Sequence, residues 1–147
     1  MSDLEFSFEA LERACIDALQ SLKTSVSKEA DGLSRPNGIF LGERERQAAY
    51  REACGLLVRL EAPVEAMRQS IAQLIAGAGA SAAHFAQCDP WRAFYEQAVA
   101  PFLSCVERAA DFEHEGREAE PSSILAACGD FCRLAEAFLI KCTDGRR

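Results

Sequence analysis

The chain has 147 residues, 49% of them hydrophobic, and a formal net charge of −7. That is enough for one domain to bury roughly two-thirds of its unfolded surface without disulfides or metal. Residues 1–31 carry −4 and residues 89–120 carry −5, and no basic stripe interleaves with aromatics, so a nucleic-acid partner is excluded from the expectations. Arginine outnumbers lysine thirteen to three and alanine occurs twenty-six times, a bias that GC-rich bacterial codons impose.

An apolar repeat of alternating threes and fours runs through most of the chain. In the first segment it is Leu4, Phe8, Leu11, Cys15, Leu19 (or Ala18), Leu22 and Val26. That spacing lays one apolar stripe along a helix. Ser2 and Glu5 form a capping box, with Met1 and Phe6 as the hydrophobic staple, so helix 1 is expected over residues 2–30, closed by Asp31-Gly32. The start of the chain is acidic where a secretory signal needs a basic, then apolar, run.

Residues 32–42 hold three glycines, Pro36 and Asn37 and read as a loop. Within it Ile39, Phe40 and Leu41 form an apolar triplet. It either folds back as a plug over one end of the bundle or stands out as a partner-binding tip.

Helix 2 is expected from Glu43 to about Glu61, and the stripe continues as Tyr50, Ala53, Leu57, Leu60, Val64, Met67, Ile71, Leu74 and Ala78. Pro63 falls where the register does not break. A new helix with Pro63 in its first turn, after a tight bend, is preferred to a kinked continuous helix, because an interior proline costs about 3 kcal/mol. Residues 64–87 carry only Glu65 and Arg68 as charges, which places residues 64–76 near the centre of a bundle. Gly77 and Gly79 mark either a helix break or a close crossing, with residues 81–88 as a short helix after a break.

Asp89-Pro90-Trp91 reads as a helix start, an N-cap aspartate before proline. The inner face that follows is Trp91, Phe94, Tyr95, Ala98, Phe102, Val106 and Ala109, with a kink at Pro101. An acidic stretch ends at Glu120-Pro121. Ser122 or Ser123 then caps a final helix, running to about Thr143, with the stripe Ile124, Cys128, Phe131, Ala135, Phe138 and Cys142. No stretch alternates with the period of a strand, and no repeat of solenoid length occurs. The expectation is all-α: a single antiparallel bundle of four to five helices in one domain spanning residues 1–147.

Candidate chemistry is sparse. His84 and Cys88 share a helix face, but Cys88 just before Asp89-Pro90 would sit at a helix C-terminus, where the dipole opposes thiolate formation. His84 is therefore expected to pack or to stabilise that C-terminus. Cys128 and Cys132 are also four apart, with Cys142 near the same stripe and Cys15, Cys54 and Cys105 elsewhere. The close pairs of a structural zinc site are missing, so core packing is expected and no metal or cofactor is assigned. Neither histidine has a glutamate three residues before it, as a di-iron site would need.

These features favour a small acidic cytoplasmic interaction module without catalysis: an adaptor, a secretion chaperone or an immunity-type protein. The alternative is a helical protein holding haem, a metal or a small molecule through His84 and core cysteines. The expected partner is another protein, with a basic surface if the acidic stretch docks it; no membrane association is expected. The named contact residues are Ile39, Phe40 and Leu41 in the loop, and Glu113, Glu115 and Glu118 in the acidic stretch. A homodimer would cover the surplus of large side chains at Trp91, Phe94, Tyr95, Phe102 and the Ile39-Phe40-Leu41 loop.

Overall fold

The computed structural model describes residues 2–32, 43–110 and 121–144, with side chains described over 8–32, 51–108, 110 and 124–143. Helix α1 spans Ser2–Gly32, α2 Glu43–Ala78, α3 Ala82–Phe94, and a π-turn occupies Tyr95–Val99. Helix α4 spans Ala100–Ala110 and α5 Pro121–Asp144. The π-turn joins α3 to α4 without a break, so four rods build an antiparallel bundle. The described residues include no strand.

The antiparallel order is legible in side-chain pairs. Glu29 of α1 accepts a hydrogen bond from Arg59 Nε of α2 at 2.5 Å, while Leu11 near the other end of α1 meets Gly77 of α2. Lys23 of α1 pairs with Glu136 of α5, and the Cys132 thiol of α5 donates to the Lys23 carbonyl at 3.8 Å. On the other side Arg68 of α2 donates through Nε and Nη2 to the Tyr95 hydroxyl, both at 3.2 Å. These ties lie at the surface and contribute little net stability each. Burial of the stripes is the driving term, and α2 packs against α1, α3, α4 and α5.

The core follows the threes and fours: Phe8, Cys15, Leu19, Leu22 and Val26 from α1, then Ala53, Leu56, Leu60, Val64, Met67, Ile71, Leu74 and Ala78 from α2. Leu11, Tyr95 and Cys142 of the expected stripes are only half-buried, and at two places burial moves one residue along the helix. Leu56 is buried in place of Leu57, and Leu139 is more deeply buried than Phe138. Both shifts are one residue along a helix, within the width of an apolar face that meets two neighbours. No polar or charged residue is buried among the described residues.

Pro63 and Pro90 both correct the expectation. Helix α2 is continuous through Pro63. Leu60, Val64 and Met67 are buried on one line across the proline, and a bend there would pull one of them off the core. Likewise α3 does not start at Asp89; it runs through Pro90. Its start is set eight residues earlier by Ser81, whose Oγ accepts the His84 N–H at 3.2 Å. Unbroken passage through Pro90 keeps Cys88, Trp91 and Phe94 in one buried row. Burying one such aromatic yields about 1.5–3 kcal/mol, enough for two of them to offset the proline. Just before Pro101 lies the π-turn, in which the Ala100 N–H donates to the Tyr95 carbonyl, five residues back. A wider turn spares the carbonyl that a proline ring would strike. Its extra residue buries Val99 beside Ala98, a core position that the regular stripe had passed over. Helix α5 starts at Pro121, ahead of the expected Ser122 or Ser123 cap, since proline is at ease in a first turn.

Both expectations for the glycines are realised, one at each. Gly79 takes φ +55° and ends α2, with its N–H on the Ala76 carbonyl and the Ser81 N–H on the Ala78 carbonyl. At Gly77 a Cβ would lie 2.3 Å from Leu11 Cδ1, so the missing side chain lets α1 and α2 approach closely.

Candidate functional site

Large aromatics line the seam between the α3–α4 rod and α5. Trp91 meets Phe138 edge-on at 4.8 Å, Phe138 meets Phe94 at 4.7 Å, and Phe131 contacts both Phe94 and Phe102. Edge-to-face pairs of this kind contribute about 0.5–1.5 kcal/mol beyond area burial. The helical side chains expected to be surplus are thus consumed by the bundle itself: Trp91, Phe94 and Phe102 are buried, and Tyr95 is half-buried. Among the described residues the large apolar side chains that face solvent are Val58 (71% exposed), Leu134 and Ile140 (51% each) and Phe85 (46%).

At one end this aromatic seam opens into a cleft of about 770 Å³ between α1, α3 and α5. Trp91, Pro90, Phe138 and Cys142 give it an apolar floor and wall. Glu9 and Glu12 from α1, Gln87 from α3 and Lys141 from α5 form the polar rim. Glu9 and Glu12 share a flank of α1 by their spacing of three, and antiparallel packing brings the end of α5 against them. Two carboxylates and one ammonium thus stand among the described residues of the rim.

Two other openings are plainer. One, about 500 Å³ between α1 and α5, is lined by Gln20, Thr24, Leu139, Ile140, Thr143 and the Lys23–Glu136 pair. A shallower groove of about 210 Å³ lies between α2 and α4, with Leu57, Leu60, Val64 and Leu103 under Glu61, Glu65 and Glu107.

The residues singled out for chemistry do not converge. The His84 ring stacks on Phe8, with centroids 4.1 Å apart and planes 4° from parallel. His84 lies in the first turn of α3, so the expected C-terminal role is corrected, while its packing role stands. Cys88 shares its helix face, yet its thiol donates to the His84 and Leu74 carbonyls. Cys88 sits inside α3, and burial, not a helix terminus, is the main cause that pushes its pKa up.

None of the seven cysteines is in a disulfide: Cys15, Cys88 and Cys128 are buried, and Cys54, Cys105, Cys132 and Cys142 half-buried. Burial pushes Cys15 and Cys128 up to about 12, and raises Cys132 against the lowering pull of Lys23. Such thiols are poor nucleophiles and poor metal ligands at neutral pH. Among the described residues no group of three or more histidines, cysteines or carboxylates is placed to hold a metal ion. No described helix is long and apolar enough to cross a membrane.

On the outer side of α3, the Arg92 guanidinium lies 4.8 Å over the Phe85 ring. Its Nε and Nη2 are buried without a hydrogen-bond acceptor, and Asp89 Oδ1 stands 3.8 Å from Nη2, too far to bond.

The expected contact residues Ile39, Phe40 and Leu41, and Glu113, Glu115 and Glu118, lie outside the described residues. Sequence reading had named Trp91 and Phe138 as stripe residues but missed Glu9, Glu12, Gln87 and Lys141 as a rim. Their sole signal was polarity beside an apolar stripe, which every amphipathic helix shows. Comparison with family models, curated proteins and solved structures finds no match for this chain.

Proposed function

We propose that this protein is a non-catalytic protein-interaction module of the adaptor, secretion-chaperone or immunity type, working in a reducing compartment such as a bacterial cytoplasm. The cleft between α1, α3 and α5 is its docking site. The observation that carries the reading is the cleft's make-up, with Trp91 and Phe138 in its floor and Glu9 and Glu12 on its rim. An apolar centre inside a polar rim is the anatomy of a protein interface, and aromatic residues dominate the energetic centres of such surfaces. A basic partner fits the two carboxylates on the rim and the net charge of −7. The occupant would be an arginine or lysine whose aliphatic stem lies on the aromatic floor while its head pairs with the carboxylates. Seven cysteines with no disulfide among them agree with a reducing setting.

The test is capture from a lysate of the source organism with the full chain and with a Glu9→Gln/Glu12→Gln variant. Interaction through the cleft requires a stoichiometric protein that the wild type retains, that the variant loses, and that rising salt releases. Equal retention by both chains would remove the cleft from the mechanism. A bound haem, metal or small molecule in the purified protein would turn the reading towards ligand storage.

A further inference from the structure

The outward turns of α5 carry Asp130, Leu134, Ala137 and Lys141, all exposed. Their spacing of four, three and four holds them within one narrow stripe of the helix. This stripe is distinct from the buried one that runs through Ile124, Cys128, Phe131 and Ala135. The order along it is acidic, apolar, apolar, basic. It is self-complementary when read backwards: a two-fold axis between positions 135 and 136 sets Leu134 opposite Ala137 of a second copy. The same axis sets Asp130 opposite Lys141, twice over. The charges stand about 16 Å apart along the helix, at the two ends of the apolar pair.

We propose that α5 is a homodimerisation helix that pairs antiparallel with α5 of a second copy through Asp130, Leu134, Ala137 and Lys141. The small Ala137 lets the two backbones approach, and Leu134 of each copy fills the space that results. Asp130 already accepts a hydrogen bond from Arg133 Nη2 on the same helix, and a carboxylate has lone pairs left for a lysine. A second register, with the axis between positions 134 and 135, would pair Arg133 with Glu136 twice, but Glu136 is already tied to Lys23 of α1. An axis centred on position 137 would pair Leu134 with Ile140 but set Arg133 against Lys141. One leucine per copy makes a small interface, so the dimer is weak and concentration-dependent. Lys141 also stands on the cleft rim, but Asp130, Leu134 and Ala137 do not line the cleft, so Leu134→Glu and Asp130→Lys test this pairing separately from the cleft reading.

Sedimentation velocity of the full chain, from low micromolar to several hundred micromolar, tests it. Wild type is expected to shift from monomer to dimer across this range, and Leu134→Glu to remain monomeric with unchanged circular dichroism. Asp130→Lys and Lys141→Asp singly should each weaken the dimer about tenfold or more, since each sets like charges face to face. Asp130→Lys and Lys141→Asp together should restore it, which general loss of stability or helicity could not do. A wild type that stays monomeric throughout, a dimer that survives Leu134→Glu, or a double swap that fails to restore association overturns the proposal.

Discussion

Replacing Pro63 with alanine should stabilise the protein. Helix α2 runs unbroken through Pro63, so the ring denies the Arg59 carbonyl its helical donor and crowds that carbonyl. An interior proline is about 3 kcal/mol worse than alanine on host scales. Two smaller effects oppose the gain. Pro63 is half-buried, and losing part of its ring contacts costs about 0.8 kcal/mol per buried methylene. Alanine also frees the unfolded chain, which costs about 0.4–1 kcal/mol where proline fits its site without strain. A net gain of about 1–2 kcal/mol remains. For a chain of this size that raises Tm by about 2–8 °C, to be read by calorimetry and by the helical circular-dichroism signal. A proline in the first turn of a separate helix would make the opposite prediction, because there it costs nothing and its fixed φ is an asset. An unchanged or lowered Tm with wild-type helicity would therefore refute a straight α2 and restore the bend.

At Gly79, φ of +55° closes α2, so Gly79→Ala should cost about 1–2 kcal/mol in urea denaturation, and a neutral result would deny the left-handed cap. The thiols give an alkaline limit: Cys15 and Cys128 hold their protons to about 12 when folded, against an ordinary 9.0. Since the unfolded chain loses these protons first, their contribution is complete below pH 9 and falls between pH 9 and 12, by up to about 1.4 kcal/mol per pH unit for each thiol. Flat stability over that range would refute the burial of these two side chains. In the native state a thiol reagent should spare Cys15, Cys88 and Cys128 and reach the half-buried four first, while the unfolded chain reacts at all seven; rapid native labelling of all seven would contradict the core described above.

What the sequence determined by itself was the helical class and most of the core. The spacing of Phe8, Cys15, Leu19, Leu22 and Val26, and of Leu60, Val64, Met67, Ile71 and Leu74, names a face, because a helix has one period and a core has one side. Gly77 and Gly79 were legible for the same local reason: a residue without a side chain announces a turn or a close contact. The prolines were not. Pro63, Pro90 and Pro101 each carry a local preference of a few kcal/mol, and whether it prevails depends on burial on both sides, which no local window contains. At Pro90 the cost is set against Trp91 and Phe94 packing on Phe138, a residue more than forty positions away. The cleft is likewise tertiary. Glu9, Gln87 and Lys141 are ordinary surface positions on three helices, and only antiparallel packing of α1, α3 and α5 gathers them around Trp91 and Phe138. A helix period specifies which side of each rod is apolar; which rods stand next to one another, and hence what their rims assemble, is decided by the packing of all four.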